Sequence, residues 1–551
     1  VRIALLQIHS ISGQVAWNTS KVMEALENAK EQKVDLVVTP ELALIGYPPD
    51  DLLTLQPFLN AEKKALAELA AQTQKTGVAL LVGHTELNEQ NFFWNSASLF
   101  EKGENLGTIR KKRLPSYNIF SEARHFASYT HDQAPLFFRG QKIGISICED
   151  AWDEIESYGP LYLRQYENAP PVFKDERKNC DLHINLSASP FEWNKGKLRN
   201  KTFQEISKKL GKPFFWINRV GSQDEVLFDG KSAIYDGKNY LEAKAYEEDF
   251  LIWDSSTKNQ KSLSPNHSPW ENLSEMLQIG LRNFVHQSGS EGVIVGLSGG
   301  VDSACVATLA AKALGPENVL GMSLPSDVTS EESKKLARDF AQNLKIQFKE
   351  VSISSIVEES AKTLEIARAG IPFENLQSRA RGIILMAEAN RSGKLLLACG
   401  NKSELAMGYG TLYGDIAGAL APIGDLLKTE VYGLCHFWNK EKTYIQERIL
   451  KREPTAELAP QQRDTDSLPP YEILDAFLHE LLNRQGKSFV EKDWKSFLKN
   501  TSAQELMHKV LRAQFKRYQA PPLLRVSNRA FGLSWRMPIA TTLPKNQPQS
   551  L

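Results

Sequence analysis

GVIVGLSGGVDSACVATLAAKALG, Gly292 to Gly315, decides how the second half of this 551-residue chain folds. It begins with a short run of β-branched apolar residues, which has strand composition. It ends with Ala, Val and Leu at helical spacing, stopping before Gly315. Gly296, Leu297, Ser298, Gly299, Gly300, Val301, Asp302 and Ser303, rich in glycine and serine, join the two. A turn built this way lets backbone N–H groups approach a phosphate, and the positive end of the following helix points at the same anion. Asp302 is placed to take a divalent metal carried by that phosphate. No GKS or GKT follows, so this is not a Walker A loop.

The same grammar continues outward. VLGMSLPS (from Val319) leads into SEESKKLARDFAQNL, and KLLLACG (from Lys394) leads into a Gly-rich segment. Strands separated by helical patterns of this length predict βαβ units and a parallel sheet. Upstream, residues 254–269 are polar with two prolines and read as a linker, with Pro269 near the first position of the helix WENLSEMLQIGLRNFVHQ. The division is therefore 1–254, a linker at 255–269, and 270–551. The first half carries strands at VRIALLQI, DLVVTPEL, VALLVGH, FFWNSASLF, KIGISIC, LHINLSA and FFWINRV. Among them NAEKKALAELAAQTQKTG reads as a helix stopped by Gly77, and GKSAIYDGK as a surface hairpin.

Composition bounds the function. Lys plus Arg and Asp plus Glu are each 66, so no global field draws the chain onto nucleic acid or an anionic membrane. Five cysteines without a CxxC spacing argue against a disulfide scaffold or structural zinc and fit a reducing, cytoplasmic setting. No apolar run reaches the ~18 residues of a membrane span. The N-terminus has no signal architecture, and its Val1 in place of Met fits a processed or trimmed chain.

Three residues in the first half carry chemistry by position. Glu41 follows an apolar strand in TPELALIGYPPDDL, Lys111 lies in RKKRLPSYNIFSEARHF, and Cys148 ends the apolar strand KIGISIC. A cysteine at a strand's end can act as nucleophile when a neighbour takes its proton, because an ordinary thiol gives little thiolate at neutral pH. Glu41 suits that base, and Lys111 suits stabilisation of the thiolate and of an oxyanion. Singly, each has an ordinary structural role as well: a packed cysteine, a capping carboxylate, a surface lysine.

Together with PELALIGYPPDDL, the string K-x-x-L-P-x-Y-x-x-F-x-E-x-R-x-F (Lys111 to Phe126) and CEDAW, they resemble the nitrilase, or carbon–nitrogen hydrolase, superfamily. The glutaminase branch found fused to NAD synthetases is the part most similar. That resemblance implies an α/β fold with an αββα nitrilase-like sandwich in the first half. It also implies Glu41 as general base, Lys111 as oxyanion and thiolate stabiliser, and Cys148 as the nucleophile forming a γ-glutamyl thioester. Tyr117, Glu122, Ser189 and Lys195 fall to the glutamine pocket, Glu122 at the substrate's α-ammonium and Lys195 at its α-carboxylate, with Lys197 and Arg199 as rivals for the latter.

In the second half, SGGxDS resembles the PP-loop ATP pyrophosphatases, which implies a doubly wound parallel sheet of the adenine nucleotide alpha hydrolase kind. ACGNKSELAMGYGTLYGDIAG (from Ala398) resembles the most characteristic block of NAD synthetases. By this resemblance the ATP site comprises Gly296 to Ser303, Ser326, Cys399 and Lys428, and Lys428 reads equally as a helix salt-bridge partner. Asn375, Arg379, Glu404 and Lys516 fall to deamido-NAD, and Asp302, Glu404 and Thr455 to Mg²⁺. Cys399 departs from the threonine expected at that position. Asn375 and Arg379 share one helical face, i and i+4.

The expectation is an ATP-dependent amidation of deamido-NAD with ammonia from glutamine, through an adenylate, by a homo-oligomer. A shielded passage keeping ammonia unprotonated is expected between the two centres. A PP-loop amidotransferase of another kind and a catalytically silent nucleotide-binding scaffold are the alternatives.

Overall fold

The computed structural model describes residues 1–88, 91–152, 171–174, 176–193, 195–237, 239–257, 267–455, 457–459, 462–466, 468–483 and 503–539. Residues 258–266 of the expected linker and 484–502 of the helical C-terminal stretch lie outside them. The chain forms two compact units, Val1–Pro269 and Trp270–Leu551.

In the first unit, β1 (Arg2–Gln7), β2 (Leu36–Val38), β3 (Ala79–Leu87), β4 (Phe93–Glu101) and β5 (Glu104–Arg110) lie side by side, with β14 (Asp249–Asp254) outside β1. β1, β2 and β3 are parallel and the outer pairings antiparallel. The second sheet repeats the plan. Parallel β7 (Gln141–Ile147), β8 (Leu182–Ser187) and β9 (Phe214–Asn218) are flanked by antiparallel β6 (Leu136–Phe138) and by β12 (Ala233–Asp236) with β13 (Asn239–Glu242). A hairpin, β10 (Val220–Gln223) and β11 (Val226–Asp229), stands apart.

Alternation along the strands sorts the side chains into layers. Ile3, Leu5, Val38 and Leu81 pack with Ile145, Ile184 and Ile217 between the sheets. Ala4, Leu6, Val37 and Leu80 face the helices Val15–Glu31 and Gln56–Thr76. Phe214, Trp216 and Tyr235 face Phe203 and Ile206 of the helix Lys195–Leu210. This is the expected four-layer αββα sandwich. Gly77 ends its helix in the left-handed conformation, φ +73°. GKSAIYDGK differs from expectation: Ala233, Ile234 and Tyr235 are buried, because β12 pairs with β9 as well as with β13.

The second unit contains an all-parallel sheet in the order β17 (Gln347–Glu350), β16 (Val319–Ser323), β15 (Val293–Gly296), β18 (Leu395–Leu397). The chain winds outward from β15 to β17, then returns to add β18 on the other side. Loops leaving β15 and β18 therefore diverge, and a crevice opens at their carboxyl ends, where such sheets bind ligands. All five cysteines are free. Among the described residues, no helix is long and apolar enough to cross a membrane.

Candidate functional site

In the first unit, Glu41 stands just after β2, in a turn packed against β3. A Cβ at Gly83 would lie 2.5 Å from the Pro40 carbonyl, so this strand position admits only glycine. Lys111 follows β5, its N–H bonded to the Asn95 carbonyl at 2.9 Å. Cys148 follows β7 in a tight turn, with φ +44°, unusual for a residue bearing a Cβ. Its carbonyl accepts from Asn185 Nδ2 at 3.2 Å.

Fold, not sequence proximity, brings these residues together. Lys111 Nζ donates to Glu41 Oε1 at 2.7 Å and lies 2.7 Å from both oxygens of Glu122. Asn95 Nδ2 and the Ala188 N–H donate to the two Glu41 oxygens at 2.7 and 2.9 Å. Lys111 and Glu41 are wholly inaccessible, and Cys148 and Glu122 are buried. Burial pushes the Cys148 thiol well up; Glu41 reinforces this and Lys111 opposes it. The resting cysteine is a neutral thiol. Burial tends to lower the Lys111 ammonium, but Glu122 and Glu41 outweigh it and hold Lys111 well above its ordinary value.

Glu122, expected at the substrate ammonium, instead meets Lys111. Tyr47 OH also donates to its Oε1 at 2.7 Å. Its carboxyl is pushed up to about 7, chiefly by burial and against the pull of Lys111. A carboxylate already matched to a buried lysine is a poor partner for a second cation. The buried carboxylate beside Tyr117 is Glu149, whose Oε1 accepts from the Tyr117 hydroxyl at 2.9 Å. Lys195 Nζ, 3.4 Å from Ser189 Oγ and 5.4 Å over the Trp152 ring, is among the cations acting on Glu149. Tyr117, Glu149, Ser189 and Lys195 thus share one neighbourhood beside Cys148. Of the rivals, Arg199 is locked bidentately to buried Asp229 at 2.9 and 2.9 Å, and Lys197 is exposed.

Sequence reasoning left Asp150 without a role. This buried carboxylate accepts from the Lys112 and Arg113 N–H groups at 3.1 and 2.8 Å, fastening the cysteine turn to the segment bearing Lys111. The Glu-Asp pair directly after an apolar strand was the available signal, since buried acids require partners.

In the second unit the crevice is a cavity of about 510 Å³, within the usual range for small-molecule sites. Its wall includes Gly296, Leu297, Ser298, Gly300, Val301, Asp302 and Ser303, together with Asn375, Cys399, Glu404, Lys428, Thr455 and Lys516. Gly299 turns the loop with φ +79°, where an added Cβ would lie 2.9 Å from the Ser333 carbonyl. Gly300 then caps the helix Val301–Leu314. Lys428 Nζ donates to Asp302 Oδ2 and, at 3.0 Å, to Glu404 Oε1, while Asn401 Nδ2 donates to Asp302 Oδ1 at 2.9 Å. Asn401 and Glu404 also form a capping box on the short helix Lys402–Met407. Burial pushes the Glu404 carboxyl up to about 7 against the pull of Lys428.

Two carboxylates gripping one ammonium make a locus that already holds a cation. Oxygen donors of this kind suit Mg²⁺, which takes one or two carboxylates and completes its shell with phosphate and water. Among the described residues no group of three His, Cys, Asp or Glu is arranged to hold a metal unaided.

Besides Gly299, set against Ser333, two more expected residues stand outside the wall. Ser326 is turned into its own loop, its Oγ 3.3 Å from Thr329 Oγ1. Arg379 is exposed and donates to the Leu412 carbonyl at 3.2 Å. Arg381, on the same helix Ile371–Ser392, lines the cavity instead and donates to the Leu324 carbonyl at 3.0 Å.

Similarity to known proteins extends over both units. Residues 2–155 match the carbon–nitrogen hydrolase family and residues 273–520 the NAD synthase family. A solved structure of glutamine-dependent NAD+ synthetase from Acinetobacter baumannii, in complex with adenosine diphosphate, is similar with 32% identity. It covers 98% of each chain at a TM-score of 0.74. The Thermotoga maritima glutamine-dependent NAD(+) synthetase is 36% identical over 98% of both chains. The Synechocystis sp. glutamine-dependent NAD(+) synthetase is 38% identical, again over 98% of both. With identity of this level extending through both units, the chain belongs to the glutamine-dependent NAD(+) synthetase family.

Proposed function

We propose that this chain amidates deamido-NAD to NAD, drawing nitrogen from glutamine and energy from ATP. The observation that carries the reading is the presence, on one chain, of two buried carboxylate–lysine clusters of different kind. One stands beside a cysteine at a strained turn, and the other stands in the mouth of a PP-loop crevice.

In the first unit, Cys148 Sγ attacks the side-chain amide carbon of glutamine. Its thiol is neutral at rest, so the proton passes to Glu41 as the bond forms. Asn95 and the Ala188 N–H orient the Glu41 carboxylate for that transfer. An ammonium has three donors; with Glu41 and Glu122 engaging Lys111, the remaining donor stabilises the oxyanion. Collapse expels ammonia, which takes its proton back from Glu41, and leaves a γ-glutamyl thioester. Water, deprotonated by Glu41, then attacks the thioester; the C–S bond breaks, Glu41 returns the proton to the Cys148 sulfur, and glutamate is released. Glu122 acts as the positioning partner of Lys111. The α-amino and α-carboxylate groups of glutamine fall to Glu149 with Tyr117, and to Lys195 with Ser189.

In the second unit the backbone from Gly296 to Ser303 cradles ATP phosphates, and Asp302 and Glu404 would hold Mg²⁺, with Thr455 nearby. When bound, the ion offsets charge on the departing pyrophosphate. Lys428 supplies the positive charge between the two carboxylates, and would serve the phosphates with an ion in that place. The deamido-NAD carboxylate attacks the α-phosphorus, pyrophosphate leaves, and ammonia displaces AMP from the acyl-adenylate. Asn375 and Lys516 contact the dinucleotide, with Arg381 in place of Arg379.

The experiment compares nitrogen donors. Wild-type protein makes NAD from deamido-NAD and ATP with either glutamine or ammonium. Cys148→Ala keeps only the ammonium reaction, whereas Asp302→Asn loses both. Loss of both in Cys148→Ala would refute two separable centres, and no NAD from wild type with either donor would refute the reading outright.

A further inference from the structure

Arg452 has no role in the mechanism above, yet it lines the same cavity. Its Nη1 lies 3.4 Å from where a Cβ on Gly299 would be, so the guanidinium abuts the tightest point of the phosphate-cradling turn. Each other cation of the wall also holds a partner, but none abuts Gly299. Lys428 bridges Asp302 and Glu404, Arg381 donates to the Leu324 carbonyl, and Lys516 donates to the Gly408 and Gly410 carbonyls. Lys334 pairs with the largely exposed Glu331.

The partners of Arg452 are an anion and a hydroxyl. Nη2 donates to Glu457 Oε1 at 2.5 Å and to Ser333 Oγ at 2.7 Å, and Ser333 Oγ itself donates to Glu457 Oε1 at 2.6 Å. Glu457 also lines the cavity, so a carboxylate oxygen stands where an anion can be exchanged. Its backbone is left-handed, φ +46°, a conformation that costs energy in a residue with a side chain and must be held by its contacts.

We propose that Arg452 is a ligand of the β- and γ-phosphates of ATP, and that Glu457 occupies its guanidinium until the nucleotide replaces the carboxylate. The chemistry is a like-for-like exchange. Guanidinium matches phosphate bidentately as well as it matches carboxylate, so the partly buried cation is never left unpaired. Departure of the carboxylate also frees Glu457 to relax its backbone. The inference rests on the second unit being an ATP site and goes beyond it by naming which cation reads the pyrophosphate end.

The test measures affinities of the full-length protein, with magnesium, for ATP, AMP and inorganic pyrophosphate. AMP lacks the phosphates assigned to Arg452. Arg452→Met is expected to weaken ATP and pyrophosphate by roughly 10- to 100-fold, the loss of one or two charge-assisted hydrogen bonds, with AMP unchanged. Arg452→Lys recovers part of the loss. Glu457→Gln removes the competing charge and strengthens ATP relative to AMP. Arg452→Met weakening ATP and AMP equally, or not weakening ATP, would overturn the proposal, as would Glu457→Gln weakening ATP as much as Arg452→Met. An unchanged AMP affinity in Arg452→Met also establishes that the variant is folded. Failure of the wild type to bind ATP would overturn the ATP reading together with this one, whereas an unchanged ATP-to-AMP ratio in Arg452→Met would remove only the role of Arg452.

Discussion

Removing the Lys111 ammonium should hurt stability in a way that depends on pH, and the direction follows from its two partners. Lys111→Met keeps most of the side chain's volume but leaves Glu41 and Glu122 buried without the cation they both touch at 2.7 Å. Breaking a buried pair from one side costs about 3–5 kcal/mol when the orphaned charge stays ionised. Here an escape exists. Burial already pushes the Glu122 carboxyl up to about 7, and without Lys111 it rises further, so at neutral pH the variant can keep this group protonated. A carboxyl whose folded value exceeds its unfolded value binds more protons folded than unfolded, so stability falls as pH rises toward the folded value. In the wild type that fall is complete near 7; in the variant it continues above 7. The deficit of Lys111→Met against wild type should therefore be smallest at pH 7 and below, and grow by about 1.4 kcal/mol per pH unit above it. The growth stops where the variant's own carboxyl ionises. Denaturant unfolding of both proteins at several pH values reads it directly. A deficit that is flat, or that shrinks with rising pH, would refute the placement of Glu122 on Lys111. Glutamine-dependent NAD formation should be absent in the variant at every pH, with ammonium-dependent formation retained.

Arg199→Met should cost about 3–5 kcal/mol in unfolding experiments by stranding buried Asp229, and pairing it with Asp229→Leu should recover most of that loss. Lys195→Met, in contrast, should raise the KM for glutamine about tenfold or more with little loss of stability, as measured by glutamate release. Arg381→Met should weaken nucleotide or dinucleotide binding measured by calorimetry by roughly tenfold, while Arg379→Met, altering an exposed side chain, should change it far less. Equal effects at the two arginines would mean that the cavity wall has been assigned to the wrong face of their helix.

The two arginines also mark where a sequence stops being readable. The chemistry-bearing motifs were legible because each needs certain residue types in a fixed local order: a cysteine closing an apolar strand, or glycines and an aspartate between strand and helix. The face a helix presents is not local. At 100° per residue, the cavity-lining Ile371, Glu374, Asn375, Ser378, Arg381 and Leu385 span an arc of roughly 120°, with Arg381 at one edge and Asn375 at the other. Arg379 falls roughly 40° beyond Asn375, outside that arc. The i, i+4 spacing correctly makes Asn375 and Arg379 neighbours, but it cannot fix on which side of Asn375 the cavity lies; the packing of the helix against β15 and β18 does that.

The contact of Glu122 with Lys111 was out of reach of the sequence for a related reason. A motif supplies acids and lysines, and chemistry invites each acid to face substrate, yet burial requires that charges be matched inside the protein first. Glu41 and Lys111 are 70 residues apart, and Asp302 and Lys428 are 126 apart. In both units the fold sets one lysine against two carboxylates and pushes one of these, Glu122 or Glu404, up to about 7. The parallel has a functional edge. In the first unit no ion is needed, because the lysine stays and the second carboxylate serves to hold it. In the second, a divalent cation at the same two carboxylates would take over the neutralising role of Lys428 and would leave the lysine for the phosphates. Whether an acid beside a lysine belongs to substrate, metal or the lysine itself is thus settled by which charge can leave, a property of the assembled site rather than of any motif.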